Sequence, residues 1–233
     1  MIDRYTITEN KETVSSFFKI ILNEDFKPKY NCAPSQLLPV ITNQYPSKWQ
    51  YFRWGIMADL SNNKKMVPKL FNIDAVAAIS KSAEKKELMN HRCIIPASGF
   101  YIWKQIGKKK VIPYYFFYEA GKLLKIGGIW EAGNEFSEQN ISSFRMVTQL
   151  ANQMLFNYQE DMPLILNDQD ADKWLASTAT EEEIRQIINR KNTHPNLAVH
   201  PVSPEIFQTK IDHAKLIKPS VPSDQYGNYT LFG

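Results

Sequence analysis

The chain has 233 residues, with 28 Lys and Arg against 24 Asp and Glu, a formal net charge of +4, and 43% hydrophobic against 22% charged residues. That balance excludes a disordered chain, and it permits a polyanionic partner without the basic excess of a dedicated nucleic-acid binder. No apolar run approaches the roughly 20 residues a membrane helix needs. The start Met1-Ile2-Asp3-Arg4-Tyr5-Thr6 lacks the basic head and apolar stretch of a secretion signal, so a cytoplasmic protein with no membrane association is expected.

Arg4 and Tyr5 fall in a short first strand. Thr8 can then cap a helix whose Val14, Phe17, Phe18, Ile21 and Leu22 recur at i, i+3, i+4, i+7 and i+8, the spacing of one buried face. Strands are predicted near Leu37 to Thr42, Gln50 to Ile56, Arg92 to Pro96, Phe100 to Gln105, Val111 to Tyr118, Leu123 to Trp130, Ser143 to Thr148, Leu164 to Leu166 and Leu197 to Val202. Helices are predicted near Asp74 to Met89, Ala151 to Asn157, Asp168 to Ala176 and Glu181 to Arg190, the last opened by a capping box from Thr180 to Glu183. Many strands with helices that do not alternate regularly among them point to an α+β fold. No low-complexity linker or internal repeat divides the chain, so residues 1 to 233 read as one domain, with a loosely packed tail from about residue 218.

The densest segment runs from His91 to Trp103. Cys93-Ile94-Ile95 is a wholly apolar run suited to a doubly buried strand, Pro96-Ala97-Ser98-Gly99 makes a corner, and a second strand resumes at Phe100. Period two places Phe100 and Ile102 on one face, and Tyr101 and Trp103 on the other with their polar tips in search of partners. Cys32 and Cys93 both sit in apolar stretches and read as small core residues rather than a disulfide or a reactive thiolate. His91, His194, His200 and His213 have no ligand spacing, so no metal is expected. The lysine runs at Lys64-Lys65, Lys85-Lys86 and Lys108 to Lys110 read as solvated faces, the last as a hairpin tip.

The segment from His91 to Trp103 resembles the "RRCLVPADGFYEW" signature of the SRAP family, the SOS-response-associated peptidase-like proteins that process abasic sites in single-stranded DNA. Further matches follow in order. Arg4-Tyr5 stands at the family's Arg-Tyr, Tyr30 to Gln36 resembles "YNIAPTQ", Pro39-Val40-Ile41 resembles "PVI", and Trp54-Gly55-Ile56 resembles "WGL". Asn72 falls at the asparagine of "NARxE", Pro113-Tyr114-Tyr115 at "PYY", and Gly128 to Glu131 at "GLWE". Thr148 with Ala151-Asn152, Met162 to Leu166 and Trp174-Leu175 match "TT-x-AN", "RMPVIL" and "WL". The resemblance implies a β-rich pseudo-barrel with a bifurcated sheet and flanking helices.

It also implies a chemistry. The family captures the abasic aldehyde with an N-terminal cysteine, whose α-amine and thiol close a thiazolidine ring. Here residue 2 is Ile2, which has no thiol and whose β-branched bulk keeps Met1 attached. Ile102 stands at the family's proton-transferring glutamate. Gln159 stands at its histidine and can hydrogen-bond but not titrate. Asp161 and Asp74 replace two arginines, and Val76 a glutamate, so Asn72 is the one catalytic residue retained. Loss of guanidinium groups weakens phosphate binding, and two carboxylates in their place are expected to turn the channel negative. Arg4, Trp54, Asn72 and Met162 are the candidate nucleic-acid contacts, with Trp49 and Tyr51 as further stacking platforms.

The expectation is therefore a divergent member that has lost covalent capture and is at most a weak, non-covalent binder of single-stranded or abasic DNA, with no cofactor. Two alternatives stand beside it. One is a Schiff-base lyase or hydrolase using the Met1 amine with Asn72 and Gln159. The other is a protein or small-ligand interaction module in which Asp74, Asp161 and Gln159 receive a cationic or polar partner.

Overall fold

The computed structural model describes residues 1–22, 26–58, 67–119, 121–133, 140–190 and 197–229. In chain order the elements are β1 (Tyr5–Ile7), α1 (Lys11–Phe18), β2 (Lys29–Cys32), β3 (Leu37–Thr42), β4 (Tyr45–Trp54), β5 (Ile56–Ala58), β6 (Val67–Lys69) and β7 (Asn72–Asp74). There follow α2 (Ala75–Ser80), α3 (Ser82–Asn90), β8 (Arg92–Ala97), β9 (Gly99–Ile106), β10 (Lys110–Tyr118), β11 (Leu124–Glu131), β12 (Ser143–Leu150) and α4 (Gln153–Phe156). The last are β13 (Asp161–Pro163), β14 (Ile165–Leu166), α5 (Asp168–Leu175), α6 (Glu181–Asn189), β15 (Leu197–Pro201) and two 3-10 turns, Pro204–Phe207 and Ala214–Ile217.

One sheet runs β15-β10-β9-β1-β2. In the other, β12, β4, β3, β8 and β11 pair in succession and β11 returns to β12, closing a ring from which β7, β13 and β14 branch. The fold is thus α+β and strand-rich, as the strand and helix pattern predicts, and the closed ring is the pseudo-barrel that the family resemblance implies. Tyr5, Phe100, Ile102 and Phe116 of the first sheet pack against Val40, Trp54, Cys93 and Met146 of the ring in one apolar cluster. A second cluster joins Ile41, Ile94, Ile129 and Val147, on the ring's outer face, to Ile79, Leu88, Trp174, Ile184 and Ile187 of the helices.

The His91 to Trp103 segment explains itself in this frame. Phe100 and Ile102 face the inter-sheet core, while Tyr101 packs on the outer side with Tyr115, Val202 and Leu216, and Trp103 lies against that group. The Tyr101 hydroxyl donates to the Tyr30 carbonyl at 2.8 Å, and Trp103 Nε1 to Asp3 Oδ1 at 2.7 Å. Gly99 has no side chain because a Cβ there would lie 2.5 Å from both the Phe116 carbonyl and the Tyr115 ring. Arg92 is fully buried, yet it is an internal cap: its guanidinium donates to the Leu88 and Met89 carbonyls at the end of α3, and to the Trp174 and Ala176 carbonyls at the end of α5. These are among the orphan acceptors that every helix end leaves. Asn31 plays a similar part, its Nδ2 donating to the Gln208 and Ile211 carbonyls at 3.1 and 2.8 Å.

Three expectations need correction. The first helix is capped by Asn10, whose Oδ1 accepts from the Thr13 amide at 2.8 Å, and not by Thr8, which lies too far ahead of the first helical residue, Lys11. It ends at Phe18, where Lys19 turns left-handed (φ 54°), so Ile21 is 74% exposed and off the helical face. The helix predicted from Asp74 to Met89 is two helices, broken at the extended Lys81, and the break lets Ala78, Ile79 and Leu88 all reach the same cluster. The segment from Lys218, expected to be loose, is fastened: Ser220 N donates to Pro201 O, and Gln225 bonds Val111 N and Lys109 O. Those two bonds use the stretch of β10 beyond its pairing with β15, which begins at Tyr114. The capping box of α6 is formed as predicted.

Candidate functional site

Ile2 is fully buried in the inter-sheet cluster. Asn72, the first residue of β7, donates its Nδ2 to the Ile2 carbonyl at 2.6 Å, while its Oδ1 is buried without a partner. The Met1 ammonium lies 2.9 Å from Asp161 Oδ1, at the start of β13. Gln159 Nε2 donates to that same Oδ1 at 2.6 Å and to the Asp161 carbonyl at 3.0 Å. Met1, Ile2, Asn72, Gln159 and Asp161 are therefore brought together.

Ile102 borders this group from β9. Its cross-strand neighbour Tyr114 packs on Tyr158, ring centroids 4.8 Å apart, and Tyr158 precedes Gln159 in the chain. Ile102 is fully buried, so no polar function reaches solvent there. Burial, reinforced by Tyr158, holds the Tyr114 phenol above its ordinary value, which leaves it a neutral hydroxyl rather than a base. Lys104 Nζ sits 5.2 Å from the Tyr158 ring centre.

Sequence reasoning passed over one participant. Asp3 accepts from Trp103 Nε1 and faces the Arg4 guanidinium at 3.4 Å, while Arg4 also donates to the Asp3 carbonyl at 2.6 Å. Burial raises the Asp3 carboxyl above its usual range, against the opposing pull of Arg4, the Trp103 hydrogen bond and the terminal ammonium. The available signal was the period-two placement of Trp103, whose indole required an acceptor.

Other expected contacts lie elsewhere. Trp54 is fully buried, stacked on Phe144 and edge-on to Tyr5, with its Nε1 donating to the Phe71 carbonyl at 2.9 Å, so it is core and offers no ring to a base. Met162 is likewise fully buried. Both belong to strands of the branched ring, where inward side chains meet the opposite sheet. Arg4 is only 9% exposed. Trp49 packs on Phe26 and Tyr51 and is half-buried, and Tyr51, 42% exposed, is the most accessible of the three aromatics. Asp74 caps α2 by accepting from the Ala77 amide at 2.8 Å, so its carboxylate serves the helix end. Of the lysine runs, Lys85 pairs with Glu181 and Lys110 with Asp224, and Lys64-Lys65 lies outside the described residues. Burial pushes both cysteine thiols far above their ordinary range, which makes them inert. Among the described residues, no group of three His, Cys, Asp or Glu could hold a metal ion, and no helix is long and apolar enough to cross a membrane.

This arrangement provides one exposed primary amine, engaged by a carboxylate, beside an asparagine with a spare buried acceptor. It provides no thiol, no titratable histidine and no acid or base at the Ile102 position.

Residues 1–209 match the family model described as SOS response associated peptidase (SRAP). The chain is 26% identical over 222 residues to the abasic site processing protein YoqW of Bacillus subtilis, an alignment covering 94% of this chain and 99% of that one. It is also 26% identical over 231 residues to the abasic site processing protein HMCES of Gallus gallus, covering 83% of this chain and 67% of that one. Among solved structures, a protein from Bacteroides thetaiotaomicron superposes with a TM-score of 0.77 at 17% identity, covering 93% of this chain and 99% of the other, a likeness of fold alone.

Proposed function

Because the chain belongs to the SRAP family and yet carries isoleucine at its second position, we propose that it is a member without covalent abasic-site capture, whose contact with single-stranded DNA is non-covalent and weak. The observation that carries this reading is Ile2 itself. Thiazolidine formation needs an amine and a thiol on one residue, and here the residue after Met1 is a fully buried hydrocarbon. Supporting it, Gln159 spends its amide on Asp161, and the glutamate position holds the buried Ile102. The relatives named as abasic site processing proteins support a role connected with damaged DNA. A cytoplasmic setting belongs to the same proposal, and the two free, buried cysteines fit a reducing compartment.

One observation favours a second reading. The Met1 residue is 65% exposed, so its amine is accessible for a Schiff base with an aldehyde. A single experiment separates the two. The protein is incubated with a single-stranded oligonucleotide carrying an abasic site, with and without borohydride, and resolved on a denaturing gel. The expected result is no shifted band in either lane. A stable band without reductant would overturn the proposal, and a band appearing only with borohydride would transfer the assignment to the amine.

A further inference from the structure

The β9–β10 hairpin and the segment from Asp224 to Tyr229 meet outside the core. Lys108 and Lys109 stand at the hairpin tip, both exposed, and among the described residues neither side chain has an ion-pair or hydrogen-bond partner. Gln225 fastens the later segment to the edge of β10, its Oε1 accepting from Val111 N at 2.9 Å and its Nε2 donating to the Lys109 carbonyl at 2.8 Å. That segment is a closed turn. Asp224 Oδ1 accepts from the amides of Tyr226 and Asn228 at 3.0 and 2.9 Å, Gly227 takes the left-handed φ of 82°, and Ser223 pairs with Tyr229 in an antiparallel bridge.

The turn holds two aromatic residues in water, Tyr226 at 74% and Tyr229 at 78% exposure. Their backbone is already ordered, so a partner that covers the rings has little further chain to fix. Charge narrows the choice of partner. Residues 104–112 and 218–229 carry Lys104, Lys108, Lys109, Lys110 and Lys218 against one carboxylate, Asp224, which Lys110 already meets at 3.1 Å. The surplus is positive and suits an anion, while the rings suit flat π-faces. A strand of unpaired nucleotides offers both, since its phosphates alternate with bare base faces. An acidic peptide would engage the lysines alone, and a duplex keeps its base faces within the stack. The family match ends at residue 209, so the turn is an addition to the shared pattern.

We propose that the hairpin tip and this turn form a second contact surface for single-stranded nucleic acid, with phosphates on Lys108 and Lys109 and bases stacked on Tyr226 and Tyr229. The inference rests on the proposed non-covalent contact with single-stranded DNA and adds a surface outside the N-terminal pocket. It is tested by fluorescence anisotropy, titrating a labelled oligothymidylate of about 12 nucleotides, within the usual site sizes, with the full chain over a series of salt concentrations. Tyr226→Ala and Tyr229→Ala should each weaken binding at least about fivefold. Lys108→Gln combined with Lys109→Gln should flatten the plot of log affinity against log salt by about 1.4, at roughly 0.7 per phosphate on a single strand. All four side chains are exposed, so urea unfolding should stay at the parent midpoint. A parent that binds the strand while the tyrosine variants keep its affinity, or the lysine variant its slope, would overturn the inference and leave the reading of the pocket standing. A parent that binds no strand even at low salt would overturn that reading and the inference with it. Equal binding of a labelled glutamate hexapeptide would show a surface that takes any anion, and would overturn the inference as well.

Discussion

Restoring the family's glutamate at position 102 should damage the fold rather than revive a reaction. Ile102 is fully buried in the cluster between the sheets, flanked on its face by Phe100 and across the strand by Tyr114. In Ile102→Glu, the lost burial of an isoleucine side chain is worth about 1.5–3 kcal/mol. A carboxyl group with no partner adds at least about 1–3 kcal/mol more, whether it is buried neutral or ionised. The expected loss is roughly 3–6 kcal/mol, a large part of the ~5–15 kcal/mol margin of an ordinary domain. Ile102→Val, which only removes a methylene, should cost about 0.5–1.5 kcal/mol. Urea unfolding followed by tryptophan fluorescence measures both, with the slope expected to stay constant as the midpoint falls. A Glu variant within about 1 kcal/mol of the parent would mean that the position opens to a polar pocket. Acid–base chemistry would then not be sealed out of the site.

Two further outcomes follow from buried polar groups. Arg92→Met deletes the donors that cap α3 and α5 and should cost at least about 3 kcal/mol, because several buried carbonyls lose their partners together. A loss under about 1 kcal/mol in the same urea assay would show that the caps contribute little. For Asp3, the folded carboxyl is raised above its unfolded value chiefly by burial, so ionising it opposes folding, and that penalty grows as pH rises through the unfolded and then the folded titration. Asp3→Asn keeps an acceptor for Trp103 Nε1 and removes the titration. Its stability relative to the parent should therefore improve from about pH 3 to pH 6, around the ordinary carboxylate range. A relative loss over that window would mean that the Arg4 pairing outweighs burial.

The strands were legible because the pattern was local. Alternation from Phe100 to Trp103 gave both faces of β9 and even the need of Trp103 for an acceptor. Helix ends were less so. The break at Lys81 arises from packing Ala78 and Leu88 on one sheet, and nothing in the residues themselves marks it. Polar residues with distant partners were the least readable. Nothing local to Arg92 points to the two helix ends it caps, and nothing local to Asn31 to the carbonyls it meets some 180 residues later. Trp54 was read as a platform for bases, but a tryptophan closing an inward-facing strand of a small ring is used up as core.

The charge of the site is where sequence reasoning carried least. Counting Asp74 and Asp161 in place of arginines suggests a channel turned acidic, yet each carboxylate is locally answered. Asp161 takes the Met1 ammonium, Asp3 takes Arg4, and Asp74 takes the amide of Ala77 at a helix start. The Met1–Asp161 pair is partly exposed, a geometry worth at most about 1 kcal/mol. At this site the Met1 ammonium and the Arg4 guanidinium are each already met by a carboxylate. Arg4, the retained arginine, is itself nearly buried against Asp3. On the proposal of weak, non-covalent contact, the polyelectrolyte contribution to DNA binding would be small. Affinity for a strand would then rest on exposed rings such as Tyr51, which hold a base without discriminating its neighbours.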